Sequence, residues 1–127
     1  MKLNIDCVRD ILLICEEIPL NEYFSFNELS SRLKQYDKDE LTYNCLKLKE
    51  ANYLSVVTKT YDCKATVVRI NDITFQGHEF LNNIRSSKIL ERSKNVASKI
   101  GATSLQAFTQ ISTGIVLALI KSELGLL

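Results

Sequence analysis

Residues 25–84 read SFNELSSRLKQYDKDELTYNCLKLKEANYLSVVTKTYDCKATVVRINDITFQGHEFLNNI, and the order of signals along this stretch decides the fold. Ser25 can cap a helix while Glu28, three residues on, reaches back to it, with Phe24 stapled onto Leu29. Leu29, Leu33 and Tyr36 then face inward. The device repeats at once: Asp37 is the cap, Glu40 its partner, and Tyr36 staples onto Leu41. Leu41, Cys45 and Leu48 continue inward at helical spacing. Two helices joined with almost no loop predict a helix-turn-helix, with the helix after Asp37 in the recognition position. Two β-prone runs follow, 55–60 and 65–71, and the four residues Tyr61-Asp62-Cys63-Lys64 between them suit a hairpin turn. Thr74 then caps another helix, whose inward face is Phe80, Leu81 and Ile84.

Upstream, Asn4 is a good N-cap with Asp6 in the favourable first turn. Val8, Ile11, Leu12, Cys15 and Ile18 follow helical spacing, Leu13 and Ile14 widen the stripe, and Pro19 is expected to stop the helix. A helix apolar over so much of its girth belongs in the core. Downstream, 85–99 reads as a further helix, continuous with or following the one before it. Arg85, Lys88, Arg92 and Lys99 fall on one face, Lys94 lies off that line, and Glu91 is the only acid. Ile89, Val96 and Ile100 form the adjacent apolar stripe, and Gly101 is placed to end the helix. The last helix is expected to start at Thr103 with Gln106 as its capping-box partner, and to end at Gly125 with Leu126 packing back. Its face is Leu105, Phe108, Ile111, Ile115 and Leu119, and no charged residue occurs in 100–120. The predicted fold is mainly α (α+β). A winged helix-turn-helix with a two-stranded wing occupies 1–84, and a two-helix tail for oligomerisation or docking occupies 85–127.

Several segments resemble a family of phage and prophage proteins catalogued as domain of unknown function 2513. They are Met1-Lys2-Leu3-Asn4-Ile5-Asp6-Cys7-Val8-Arg9-Asp10-Ile11-Leu12, Thr74-Phe75-Gln76-Gly77-His78-Glu79-Phe80-Leu81, Ser98-Lys99-Ile100-Gly101, and the ending 121–126. The resemblance covers nearly the whole chain. It implies a winged-helix-like first part and a helical tail, in small proteins of Gram-positive bacteria and their phages. It implies no activity and no functional residues.

At 127 residues, 46% hydrophobic and 24% charged, the chain has the composition of a soluble globular protein of one domain, or one domain with an appendage. Cys7, Cys15, Cys45 and Cys63 show no paired CxxC spacing, so buried thiols in a reducing cytoplasm are expected, with no zinc site or disulfide framework. His78 has no ligand-spaced Cys, Asp or Glu around it, and the four glycines are scattered. No catalytic residue, metal ligand or cofactor is therefore assigned, and an enzyme is not expected. The net charge is +1, but residues 1–72 hold ten Lys/Arg against twelve Asp/Glu, while 73–127 hold six against three. A duplex-DNA binder needs cations for phosphates, so the first part lacks the overall excess such a role favours.

The candidate DNA-contacting residues are Lys38, Thr42, Tyr43 and Lys47 on the recognition-position helix, and Lys59, Tyr61 and Lys64 at the ribbon tip. Arg85, Lys88 and Arg92 are candidates for added phosphate contacts. Asp39 and Glu40 oppose this at the helix start, and each group also suits a merely solvated face. The leading expectation is a DNA-binding regulator of phage or prophage origin, dimeric through Leu105, Phe108, Ile111, Ile115 and Leu119. The alternative is a protein-interaction module that engages a host or defence protein. A membrane-associated effector is the weaker alternative, because only 111–120 is densely apolar and about ten residues cannot span a bilayer.

Overall fold

Asn4 begins α1 (Ile5–Cys15) by accepting the Cys7 N–H on its side-chain oxygen at 3.2 Å. In this computed structural model, which describes residues 1–126, the elements that follow are β1 (Phe24–Ser25), α2 (Phe26–Arg32), α3 (Lys38–Glu50), β2 (Leu54–Tyr61) and β3 (Lys64–Ile73). Three further helices complete it: α4 (Phe75–Ile84), α5 (Ser87–Ile100) and α6 (Leu105–Glu123). The chain is thus mixed α+β, with six helices and one three-stranded antiparallel sheet among the described residues. It divides into two compact units, Met1–His78 and Glu79–Leu127.

In the first unit, α1 buries Cys7, Val8, Ile11, Leu12 and Cys15 completely. It ends at Cys15 with a turn at Glu16 and Glu17, ahead of the expected stop at Pro19, and Ile18 is buried beyond the helix. Ser25 and Glu28 form the expected reciprocal capping box at the start of α2. Asp37 caps α3 by accepting the Glu40 N–H at 2.8 Å. The Glu40 carboxylate does not reach back as expected. It accepts the Asn4 side-chain amide at 2.5 Å instead.

Completely buried Asn44 explains that diversion. Its oxygen accepts the Asn4 backbone N–H at 3.0 Å and its amide donates to the Glu40 carbonyl at 2.9 Å. One helix start is thereby tied to the side of another, and the buried amide has partners for donor and acceptor alike.

The sheet is larger than the expected two-stranded wing. Phe24 and Ser25 pair with Ile70 and Arg69, giving the order β1-β3-β2. The hairpin loop is also tighter than the four residues expected. Tyr61 pairs with Lys64, so only Asp62 and Cys63 connect the strands, both at positive φ (48° and 63°). Two positive φ values in a two-residue loop match the right-handed twist of the flanking strands. Core-facing Leu54, Val56, Val67, Ile70 and Ile73 are buried.

In α4, the Thr74 hydroxyl accepts the Gly77 N–H at 3.0 Å and donates to the Asn52 carbonyl at 2.6 Å. Phe80, Leu81 and Ile84 are buried, as their spacing indicates. The helices α4 and α5 are separate: Arg85 and Ser86 interrupt them, with Ser86 at the N-cap. In the second unit, α5 and α6 pack together. The buried edge of α5 is Leu90, Ser93 and Ala97; of the expected adjacent apolar stripe, Ile89 and Val96 are half-buried and Ile100 is 66% exposed. Gly101 ends α5 at φ 70°, with the Ala102 N–H returning to the Ala97 carbonyl. Ser104, not Thr103, caps α6, accepting the Ala107 N–H at 3.1 Å. Gly125 ends α6 with φ 71°, yet Leu126 stays 68% exposed and does not pack back.

Candidate nucleic-acid interface

Helix α3 owes its orientation to a buried edge of Leu41, Asn44, Cys45 and Leu48. At about 100° per residue, the opposite arc carries Asp39, Tyr43, Leu46 and Glu50. Of the expected contact residues, Tyr43 lies on that arc, and Lys38, Thr42 and Lys47 lie to its sides. Lys38 is exposed beside exposed Asp39, while Thr42, Tyr43 and Lys47 are half-buried. The Lys47 ammonium donates to the Glu50 carboxylate at 3.0 Å and lies 5.3 Å from the Tyr43 ring centroid. That hydrogen bond to Glu50 raises the Lys47 pKa. Lys49 donates to the Thr58 hydroxyl at 3.0 Å, tying the end of α3 to the ribbon. The outward side of α3 is therefore mixed acidic, aromatic and apolar, with its central cation already engaged.

The ribbon is more coherent. Lys59, Tyr61 and Lys64 are all exposed. Directly opposed residues share a face, as do residues two apart along a strand. The register Val57↔Arg69, Lys59↔Thr66 and Tyr61↔Lys64 therefore puts Lys59, Tyr61, Lys64 and Arg69 on one side of the sheet. Arg69 sits with its guanidinium 5.0 Å from the Tyr23 ring centroid and donates from Nε to Asn71 at 3.2 Å. Arg69 escapes a reading by composition, because only the strand register shows that it continues the row of Lys59 and Lys64, and Tyr23 joins it only through its ring contact with Arg69. Asp72, opposite Ser55, stands on the same side at the far end.

In the second unit, Lys88 and Arg92 are exposed on α5, and Lys99 with them. Arg85 is exposed but precedes the Ser86 cap, so it is not on that helix. Of the residues expected to mediate self-association, Leu105 and Phe108 are buried. The Phe108 ring meets Phe80 edge-on at 6.5 Å. Ile111 and Ile115 are half-buried, and Leu119 is 43% exposed. Beyond them α6 also exposes Leu117 and Ile120.

Elsewhere the chemistry is plain. His78 is exposed, and its backbone N–H donates to the Thr74 carbonyl. Among the described residues no group of three or more His, Cys, Asp or Glu could hold a metal ion, and no helix is long and apolar enough to cross a membrane. Cys7, Cys15 and Cys45 are buried, but Cys63 is exposed in the hairpin loop, contrary to the expectation for all four thiols. Desolvation pushes Cys7 and Cys15 up to about 12 and raises Cys45 as well, which removes their nucleophilic form at neutral pH.

A family model described as "Hypothetical protein (DUF2513)" matches residues 2–104, and the chain belongs to that family. Comparison with curated proteins finds no match. Among solved structures, the chain is similar to smu.1704 from Streptococcus mutans UA159 at a TM-score of 0.50. That likeness has 17% identity over 76% of this chain and 88% of that chain, and it concerns the fold alone.

Proposed function

We propose that this member of the DUF2513 family is a winged-helix protein that binds duplex DNA through its sheet and ribbon, as a regulator of phage or prophage origin. The element order helix, short strand, helix, helix, hairpin supports the winged-helix reading, with β1 pairing to β3 beside the α2–α3 pair. One observation carries the DNA reading: Lys59, Tyr61, Lys64 and Arg69 share one side of the sheet. Cations interleaved with an aromatic suit a phosphate backbone, or a minor groove entered by the ribbon tip. Helix α3 is the weaker contributor, because Glu50 holds Lys47 and Asp39 stands at the helix start. Binding is therefore mainly backbone-directed, salt-sensitive and of low sequence selectivity.

The α6 side chains Leu117, Leu119 and Ile120, exposed on a stretch without charge, support self-association of the tail, which would double the phosphate contacts of each complex. The ribbon reading is tested with Lys59→Gln/Lys64→Gln. Losing two phosphate contacts should flatten the log–log salt slope by about 1.8, at about 0.9 per contact. An unchanged slope removes the ribbon from the interface.

A second reading, a protein-interaction module that engages a host protein, is favoured by the Asp39, Tyr43, Leu46 and Glu50 arc of α3. Substituting Tyr43→Ala should then abolish capture of one stoichiometric protein while leaving the salt slope on DNA untouched.

A further inference from the structure

The packing of α5 leaves a second ordered row of cations in the tail. Its buried edge, Leu90, Ser93 and Ala97, follows spacings of three and four, so the opposite edge is Lys88, Arg92, Asn95 and Lys99. All four are exposed. They repeat at intervals of four, three and four residues, which makes a straight stripe of about 16 Å at 1.5 Å rise per residue. Among the described residues, Lys88, Arg92 and Lys99 have no ion-pair partner. Three other cations of the chain are paired with acids. Glu17 holds Arg32, Glu50 holds Lys47, and on α5 itself the acid Glu91 pairs with Lys94 at 3.5 Å, off the stripe.

We propose that this α5 stripe is a second phosphate-contacting surface for duplex DNA. The proposal rests on the DNA-binding reading of the first unit and extends it to the tail. Three unpaired cations along one line match a linear polyanion, whose phosphates recur at every nucleotide. Asn95 between Arg92 and Lys99 is a neutral hydrogen-bond donor of the kind that also meets phosphate oxygens. A lipid surface fits less well. Stable attachment of an interfacial helix needs a broad apolar face beside its cations, and beside this stripe α5 leaves only Ile100 exposed, with Ile89 and Val96 half-buried.

The test uses the full chain and a random-sequence duplex, titrated across a salt series. The comparison is among the wild type, Lys88→Gln/Arg92→Gln/Lys99→Gln, and Lys59→Gln/Lys64→Gln. All the substituted side chains are exposed, so folding is unaffected, which circular dichroism verifies. Loss of three phosphate contacts should lower the log–log slope by about 2.7, and Asn95→Lys should steepen it by about 0.9. If the ribbon variant flattens the slope while neither α5 variant changes it, the stripe is overturned and the DNA reading stands. If the wild type binds no duplex even at low salt, both fall. Binding to phosphatidylserine vesicles that the triple variant abolishes, with its duplex slope unchanged, overturns the stripe in favour of a membrane surface.

Discussion

A β-carbon at Gly77 would overlap the Tyr53 carbonyl oxygen and come within 2.7 Å of Ile73 Cγ2. That carbonyl cannot retreat, because it accepts the Thr74 N–H at 3.1 Å. The Thr-Phe-Gln-Gly phrase is therefore a packing device: Thr74 caps α4 while Gly77 lets the helix lie against the chain at Tyr53. Gly77→Ala should cost about 3 kcal/mol, the upper range for an overpacked site, read as a lowered denaturation midpoint; a midpoint within error of wild type would contradict this contact. The cap was legible in sequence because threonine precedes an apolar helical pattern. The glycine's role was not, since its obstacle lies 24 residues earlier in the chain. The thiols give a second test at this scale. In native protein at pH 8, a thiol reagent should modify Cys63 rapidly and leave Cys7, Cys15 and Cys45 intact until unfolding. Because burial raises Cys7 and Cys15 from 9.0 to about 12, the folded state holds those protons more tightly. Their contribution is complete below pH 9 and is lost as pH rises toward 12, so stability should fall across that alkaline window.

At the scale of elements, the hairpin loop carries a cost that its sequence conceals. Cys63 holds φ 63° without being glycine, a left-handed conformation that disfavours an L side chain by roughly 1–2 kcal/mol. Replacing Cys63→Gly converts the loop to the Asp-Gly pair that such turns favour, and should stabilise the chain by about 1 kcal/mol in urea denaturation. A loss of stability would mean that the Cys63 side chain makes a contact in the fold. The helices were readable because their caps and apolar periods agree. Strand β1 was not, since two residues carry no period and Ser25 serves at once as strand end and helix cap. On α5, the expected stripe followed the β-branched residues Ile89, Val96 and Ile100 beside the cations. The chain instead buries Leu90 with small Ser93 and Ala97, which allow a neighbouring helix close approach.

For the whole molecule, formal charge was a poor guide to surface charge. In the net-negative first part three acids have local partners, Glu17 with Arg32, Glu40 with the Asn4 amide and Asp10 with the Tyr36 hydroxyl, while Glu22, Asp39, Asp62 and Asp72 stay exposed. A cationic side of the sheet in one unit and a cationic stripe of α5 in the other stand among exposed acids such as Asp39 and Asp72. The stripe was legible from helical spacing, whereas the place of Arg69 beside Lys59 and Lys64 needed the strand register. The exposed end of α6 sets the expectation for assembly. Leu117→Asp/Ile120→Asp should shift the sedimentation of the full chain from dimer to monomer, and a dimer that persists would place the contact elsewhere. The most direct measurement is binding of the full chain to a random-sequence duplex across a salt series, at a known oligomeric state. The DNA-binding account expects micromolar affinity at low salt, with a log–log slope of about −5.4 per chain, from Lys59, Lys64 and Arg69 of the sheet and Lys88, Arg92 and Lys99 of α5 at about 0.9 each. No binding at low salt, or binding that does not weaken as salt rises, would contradict it.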